Sequence, residues 1–134
     1  MRFGANKYRN KKVIVNGETF DSKKEWQEWH ELKLLEKAGK ISNLERQKAF
    51  EIIPTLRTSQ ETIRKTIYRA DFFYYDLRSN RWTVRDTKGF PTPEYKLKKK
   101  LMIWLHPEYT FVESGASYKE YRLQDENNRD KKRV

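Results

Sequence analysis

The feature that most constrains the fold is a pair of strand-like runs joined by a short polar connection. The first run, from Ile63 to Tyr75, is dense in β-branched and aromatic side chains, and the second extends from Arg81 to Lys88. The connecting residues 76–80 read Asp-Leu-Arg-Ser-Asn, a composition typical of a hairpin turn. The two runs are therefore predicted to be adjacent antiparallel strands of one sheet.

Charged side chains interrupt these runs at positions where apolar residues are expected. Asp is uncommon inside strands because its carboxylate competes for backbone hydrogen bonds, yet Asp71 lies in the middle of the first run. In the second run, the two-residue period of a strand places Asp86 and Lys88 on the same face as Val84. Burying such charges is costly unless they are used. The functional interpretation competes with a simpler one, in which Asp86 and Lys88 form a surface ion pair at a strand end.

Two carboxylates on adjacent strands can hold Mg²⁺, which prefers oxygen ligands and keeps some of its water molecules. Bound Mg²⁺ polarises a phosphate group and lowers the pKa of a coordinated water. A lysine two residues beyond one ligand lies on the same side of the strand, where it can orient that water or stabilise charge on the phosphate. Asp71, Asp86 and Lys88 therefore predict hydrolysis of phosphodiester bonds with Mg²⁺ as the cofactor and Mn²⁺ as a substitute.

The charge balance favours an anionic partner. Thirty Lys and Arg residues against nineteen Asp and Glu give a formal net charge of +11, which attracts polyanions. Nucleic acid is the first candidate, ahead of a ribosomal type of structural protein or binding to a membrane surface. The absence of cysteine excludes disulfides, Cys-ligated zinc and thiol catalysis. Because no apolar run approaches the length of a membrane span, a cytoplasmic protein is expected.

Two helices are predicted around these strands. Ser22 and Glu25 have the spacing of a capping box at the start of the first helix, which is expected to run to about Ala38 and to end at Gly39. Helical spacing turns both Glu25 and Glu28 towards the sheet. Either carboxylate could therefore join the metal site. Further strands are predicted at residues 13–15, 49–53 and 109–113, and residues 55–62 are predicted to be a loop.

The second helix is predicted from about Glu94 to Leu105, with a buried stripe of Leu97, Leu101 and Trp104. Its lysines would then point outward to DNA phosphates: Lys96, Lys98, Lys99 and Lys100. A basic N-terminal arm, residues 1–12, supplies further candidate contacts: Lys7, Arg9, Lys11 and Lys12. Contacts of this kind give affinity without reading sequence. Gln47 and Tyr95 are additional candidates to approach the site.

Four segments together resemble a family of short phage-encoded proteins that is placed in the PD-(D/E)XK nuclease superfamily. They read Phe-Asp-Ser-Lys-Lys-Glu at 20–25, Leu-Lys-Leu-Leu-Glu-Lys-Ala-Gly at 32–39, Tyr-Arg-Ala-Asp-Phe at 68–72 and Asp-Thr-Lys-Gly-Phe at 86–90. The resemblance covers about residues 4–113. It implies an α/β fold with a restriction-endonuclease-like αβββαβ core, a mixed central sheet flanked by helices, which agrees with the predicted element order.

The resemblance also assigns roles to single residues. It implies Asp71 as the first acid, Asp86 as the second and Lys88 as the lysine, with Glu25 as the acid on the first helix. Asp71, Asp86 and Glu25 would then be the metal ligands. Two departures stand out: Ala70 replaces the proline of the superfamily motif, and the second acid is Asp where Glu is common.

Within the superfamily, short chains with basic arms are similar to the Holliday junction resolvases of archaea and phages. That similarity implies a homodimer that cuts branched or four-way DNA junctions. Residues 13–120 would form the nuclease domain, and residues 121–134 a disordered charged tail. Two alternatives stay open: another phage nuclease of this superfamily, acting in restriction, packaging or repair, and a DNA-binding module without catalytic activity. The complete set of Asp71, Asp86 and Lys88 argues against the second alternative.

Overall fold

The computed structural model describes residues 11–87 and 91–124. The strands of these residues are, in chain order, Val13–Val15 (β1), Glu18–Phe20 (β2), Ile41–Ile53 (β3), Leu56–Arg57 (β4), Thr62–Ile63 (β5), Thr66–Asp76 (β6), Arg81–Asp86 (β7), Thr110–Glu113 (β8) and Lys119–Tyr121 (β9). The helices are Lys23–Lys37 (α1) and Pro93–Leu105 (α2). The predicted sequence of one helix, three strands, a second helix and a strand is present, with additional short strands around it.

Five strands form one mixed sheet in the order β3-β6-β7-β8-β9. β6 pairs antiparallel with β7, as the hairpin signal predicted, and Phe73 lies opposite Val84. On its other side β6 pairs antiparallel with β3. β7 and β8 are parallel because α2 carries the chain back across the sheet between them. The chain is thus a mixed α/β protein.

The helices pack against two different apolar clusters of the sheet. On one side, Leu32 of α1 packs with Ile41, Phe72 and Tyr74. On the other side, Met102 of α2 belongs to a larger cluster that includes Phe73 and Val84. Because adjacent side chains of a strand point to opposite faces, neighbouring Phe72 and Phe73 can serve the two clusters separately.

Helix α1 begins and ends where local chemistry predicts. Ser22 is the N-cap, and its hydroxyl accepts a hydrogen bond from the backbone N–H of Glu25 at 3.1 Å. Gly39 follows the helix with φ +79°, a left-handed conformation that glycine adopts without steric cost. Leu32 and the carboxylates of Glu25 and Glu28 are buried. The predicted orientation of both acids towards the sheet is confirmed.

Several predicted boundaries are wrong. β3 begins at Ile41, eight residues before the predicted strand. Residues 55–62, predicted to be a loop, contain β4 and the first residue of β5, which pair as a hairpin. β9 was not predicted. Tyr121 lies in β9 and its hydroxyl donates to Glu113 at 2.9 Å, so the segment assigned to a tail is anchored at its start. Residues 125–134 and 1–10 lie outside the described residues.

The predicted buried stripe of α2 is wrong for two of its three residues, whereas Leu101 does pack against the α2-side cluster. Leu97 is 57% exposed and Trp104 is 48% exposed, whereas Tyr95 and Met102 are the buried residues of this helix. The helix is rotated relative to the prediction because Tyr95, at its first turn, is the large side chain that enters the apolar cluster. Among the described residues, no helix has the length and apolar composition needed to cross a membrane.

Candidate active site

Asp71 connects the middle of β6 to the end of β7. Its Oδ2 accepts hydrogen bonds from the backbone N–H and the hydroxyl of Thr87, each at 2.8 Å. Thr87 is the residue between Asp86 and Lys88, so Asp71 holds the Asp-x-Lys segment directly at its centre. This contact joins Asp71, the first predicted acid, to the segment that contains Asp86, the second.

The alternation of side chains along β6 changes at Asp71. Tyr68 and Ala70 belong to the α2-side cluster, but Phe72 and Tyr74, which continue the same two-residue spacing, belong to the α1-side cluster. Opposite this point in β3, Gln47 has φ +53°. Asp71 therefore lies at the point where the side chains of β6 change faces.

Glu25 reaches the same place from the first turn of α1. Its side chain is almost completely buried, at 1% exposure, and its Oε1 accepts a hydrogen bond from the backbone N–H of Asp21 at 2.8 Å. Its Oε2 accepts from the Nε2 of Gln47 at 2.8 Å. The same Nε2 lies 3.4 Å from Oδ1 of Asp71. A single amide therefore bridges two carboxylates that come from different elements.

The electrostatics of this pair favour the binding of a positive charge. Burial, followed by the negative charge of Asp71, raises the pKa of Glu25 above its usual value. The nearest guanidinium, that of Arg46, is 3.9 Å from Oε2 of Glu25 and lies over the ring of Phe20. A cation placed between Glu25 and Asp71 would relieve their repulsion.

Asp86 lies at the end of β7 with 2% exposure. Its Oδ2 accepts a hydrogen bond from the hydroxyl of Tyr68 at 2.6 Å. Burial, and then the charge of Asp86, raises the pKa of Tyr68 well above its usual value, so the phenol remains a donor. The carboxylate of Asp86 is on the face predicted from Val84, because Tyr68 and Val84 share the α2-side cluster.

Glu28 has a different environment from that of Glu25. Its Oε1 accepts hydrogen bonds from Nε of Arg85 at 2.9 Å and from the hydroxyl of Ser114 at 2.6 Å, and its Oε2 lies 3.1 Å from Nζ of Lys24. These contacts join α1 to β7 and to the end of β8. Of the two helix acids that the sequence left open, Glu25 is therefore the one beside Asp71, and Glu28 is engaged in an internal ion pair.

The donor chemistry at the site fits a hard divalent cation, whose preferred ligands are carboxylate oxygens. Glu25 and Asp71 face one shared amide, and Asp86 is covalently next to the Thr87 that binds Asp71. Within residues 11–87 and 91–124, however, no three acidic or histidine side chains are gathered closely enough to enclose a metal ion. A cation would thus meet two carboxylates on either side of the Gln47 amide, and the third acid is the sequence neighbour of the Thr87 that binds Asp71.

A cavity of about 430 Å³ opens beside Tyr68, on the α2 side of the site. It lies between β6 and the start of α2, and cationic, acidic and aromatic side chains share its walls. Its lining residues are Ile67, Tyr68, Arg69, Thr92, Glu94, Tyr95 and Lys98. Tyr95, a predicted neighbour of the site, lines this cavity and donates its hydroxyl to Glu113 at 2.7 Å.

The lysines of α2 that were predicted to contact phosphates differ in their exposure to solvent. Lys96 and Lys100 of α2 are exposed. Lys98 pairs with Glu94 at 2.9 Å, and Lys99 pairs with Glu113 at 3.1 Å while lying over the ring of Tyr121. The prediction that all four lysines point outward is therefore wrong for Lys98 and Lys99, whose side chains are only 25% and 22% exposed.

In the basic arm, Lys11 is exposed and Lys12 lies 3.4 Å from Asp21. Lys7, Arg9 and the catalytic candidate Lys88 fall outside the described residues. Thr87 and Tyr68 were not predicted as site residues. Thr87 could have been considered from its place inside Asp-x-Lys, whereas nothing in the sequence distinguishes Tyr68 from the other aromatic residues of its run.

The comparisons with known proteins identify a family without assigning a function. Neither the search of curated proteins nor the search of solved structures found a match. Residues 5–125 match the family model described as "Protein of unknown function (DUF1064)", and the chain therefore belongs to that family.

Proposed function

We propose that this protein is a metal-dependent DNA endonuclease of the PD-(D/E)XK type, most specifically a resolvase of four-way DNA junctions. The observation that carries the proposal is the meeting of Glu25 and Asp71 at one amide, with Asp71 bonded to Thr87 inside the Asp-x-Lys segment. The order α1, β3, β6, β7, α2, β8 supports the αβββαβ core of that superfamily.

In this proposal Glu25, Asp71 and Asp86 hold Mg²⁺, for which Mn²⁺ can substitute. Because the carboxylate of Asp86 is bonded to Tyr68 on the α2 side, it would have to turn towards Glu25 and Asp71 when the cation binds. When bound, the cation supplies Lewis acidity towards the phosphate and lowers the pKa of a coordinated water. Thr87 orients the Asp71 carboxylate through two hydrogen bonds, and Tyr68 holds that of Asp86 on the α2 side through one. Lys88 supplies an ammonium that stabilises the charge developing on the phosphate.

The DNA surface of the proposal extends from this site over α2 and the β4–β5 hairpin. Lys96 and Lys100 are exposed on α2, and Arg69 and Lys98 line the cavity beside Tyr68. Residues 54–65 are exposed throughout and carry three cationic side chains, at positions 57, 64 and 65, against one acid. Exposed cationic side chains of this kind fit the phosphate backbone of a nucleic acid.

Replacing Lys96 and Lys100 together with alanine is expected to weaken binding to all DNA sequences equally. Two lost phosphate contacts should reduce the slope of log affinity against log salt concentration by roughly 2. Fluorescence anisotropy at several salt concentrations measures this slope. The exposed Lys37 at the end of α1 is the matched control: an equal reduction on replacing Lys37 would mean that α2 is no preferred contact surface.

The choice of substrate is tested with a panel of labelled DNAs of equal length. In Mg²⁺ the protein is expected to nick a mobile four-way junction in preference to linear, nicked or flapped duplex. Variants in which Asp86 or Lys88 is replaced are expected to bind the junction without cutting it, provided that circular dichroism shows them folded. Preferential cutting of linear duplex or flaps would instead favour a restriction, packaging or repair nuclease.

A homodimer is part of the proposal, since two symmetric cuts require two sites and two-fold pairing is the commonest closed symmetry. Helix α2 exposes Leu97, Trp104 and Leu105 along one side, by 57%, 48% and 38%. A second copy of the chain could cover these residues. Light scattering is expected to give twice the 16.4 kDa mass of one chain, and Leu97→Glu to shift the mass towards one chain. A monomeric wild-type protein would contradict this part.

A DNA-binding module that lacks catalysis is the second candidate. The observation in its favour is that no three acids are gathered around a metal position among the described residues. Titration with Mn²⁺ distinguishes the two functions, because the nuclease must bind the cation through Asp71. Junction binding without any Asp71-dependent Mn²⁺ binding would establish the module.

A further inference from the structure

Gln47 has an unusual backbone conformation for its position. It lies in the interior of β3 with φ +53°, while the flanking pairs Arg46–Phe72 and Lys48–Ala70 keep the register with β6. The left-handed region is unfavourable for a residue with a long side chain and persists only where the surroundings hold it. Here the carbonyl of Gln47 accepts a hydrogen bond from Nη1 of Arg69 at 3.2 Å. Such conformations cluster at functional sites.

The side chain of Gln47 is placed by this backbone between the two carboxylates. Each carboxylate has one oxygen bound elsewhere: Oε1 of Glu25 by the backbone of Asp21, and Oδ2 of Asp71 by Thr87. The other oxygen of each faces the Gln47 amide, at 2.8 Å and 3.4 Å. The amide hydrogens thus lie between two negative groups that would otherwise repel each other.

The guanidinium of Arg46 is close enough to Glu25 to compete with the Gln47 amide for its carboxylate. Arg46 lies 3.9 Å from Oε2 of Glu25, and its Nε is buried without a hydrogen-bond partner. Without the Gln47 amide, this guanidinium could approach Glu25 and hold the carboxylate away from Asp71. The Gln47 amide differs from this guanidinium in contacting both carboxylates at once.

We propose that Gln47 is a positioning residue of the divalent-cation site, an inference that rests on the proposed function. Its amide holds the facing oxygens of Glu25 and Asp71 together before the cation binds, and the cation takes over the neutralising role of the amide hydrogens. A purely structural glutamine would contribute to folding and leave the affinity for the cation unchanged.

The decisive variant is Gln47→Gly, because glycine adopts φ +53° without strain while removing the amide. Isothermal titration with Mn²⁺ measures its affinity beside the wild type and Asp71→Asn. Loss of groups that orient metal ligands typically weakens affinity by about 10–100-fold, and a loss of this size is expected here. Asn43→Gly is the matched control: Asn43 also lies in β3 with φ +56°, and its replacement is expected to leave the Mn²⁺ affinity unchanged.

A second variant keeps the test decisive if Gln47→Gly does not fold. Gln47→Glu preserves the length of the side chain and adds a third carboxylate, so the melting temperature should fall without cation and rise further on adding Mn²⁺ than that of the wild type. An unchanged rise would overturn the inference.

The outcomes separate the two proposals. Unchanged or tighter Mn²⁺ binding by Gln47→Gly, with wild-type binding that depends on Asp71, would overturn the role of Gln47 and leave the nuclease intact. Absence of Asp71-dependent Mn²⁺ binding in the wild type would overturn both.

Discussion

Asp71→Asn is expected to reduce the rate of junction cleavage by roughly 10²–10³-fold, since the loss of Lewis-acid stabilisation is worth several kcal/mol and each factor of ten corresponds to about 1.4 kcal/mol. Asparagine has nearly the same shape, and its carbonyl oxygen can still accept the two hydrogen bonds from Thr87. The fold should therefore be retained. What is lost is the negative charge that, with Glu25, would hold the cation.

Single-turnover cleavage of a labelled junction in Mg²⁺ measures this effect, and a binding assay in Ca²⁺ or EDTA should show junction affinity close to that of the wild type. Asp76→Asn is the matched control, because Asp76 also lies in β6 but is bonded to Arg78 at the hairpin turn. Asp71→Asn protein that is folded and cuts at the wild-type rate would show that Asp71 holds no catalytic metal.

Glu28→Ala is expected to lower the free energy of unfolding by about 3–5 kcal/mol, the usual cost of removing one partner from a buried ion pair. Arg85 and Glu28 retain only 13% and 5% side-chain exposure, and the hydroxyl of Ser114 donates to the same carboxylate oxygen as Arg85. Without Glu28, a guanidinium inside the protein would lack its charge partner. The contact also joins α1 to the sheet, so its loss affects the packing of the whole helix.

Urea unfolding followed by circular dichroism measures this change. Glu31→Ala provides the comparison, since Glu31 is an exposed residue of the same helix and its replacement should change stability by less than about 0.5 kcal/mol. If Glu28→Ala were as stable as Glu31→Ala, the ion pair would contribute nothing and Glu28 would again be a candidate for the metal site.

The parts of the fold that follow from local chemistry were predictable. The β6–β7 hairpin follows from two apolar runs and a turn, and the start of α1 from the Ser22 cap. The edge strands β3 and β9 were shortened or missed because an edge strand has a neighbour on one side only and tolerates polar residues, such as Lys119 and Glu120 of β9. The rotation of α2 depends on which large side chain enters the cluster, which tertiary packing decides.

The candidate acids could be chosen from the sequence, but the contacts of each acid could not. A charge inside an apolar run identified Asp71, and the period of a strand placed Asp86 on the face of Val84. Helical spacing could not choose between Glu25 and Glu28, because both lie on the same face of α1. The choice depends on the distant partners of each acid: Arg85 on β7 for Glu28, and Gln47 on β3 for Glu25. The left-handed conformation of Gln47 leaves no pattern in the sequence.

The central claim is that the acids at Gln47 and the Asp-x-Lys segment form a cation-dependent centre for cutting DNA. Its most direct test is cleavage of a labelled four-way junction by the wild-type protein in Mg²⁺, in EDTA, and in EDTA followed by excess Mg²⁺. We expect paired nicks in the first condition, intact DNA in the second and restored nicks in the third. A junction that remains intact in Mg²⁺ and in Mn²⁺, although the folded protein binds it, would contradict the account.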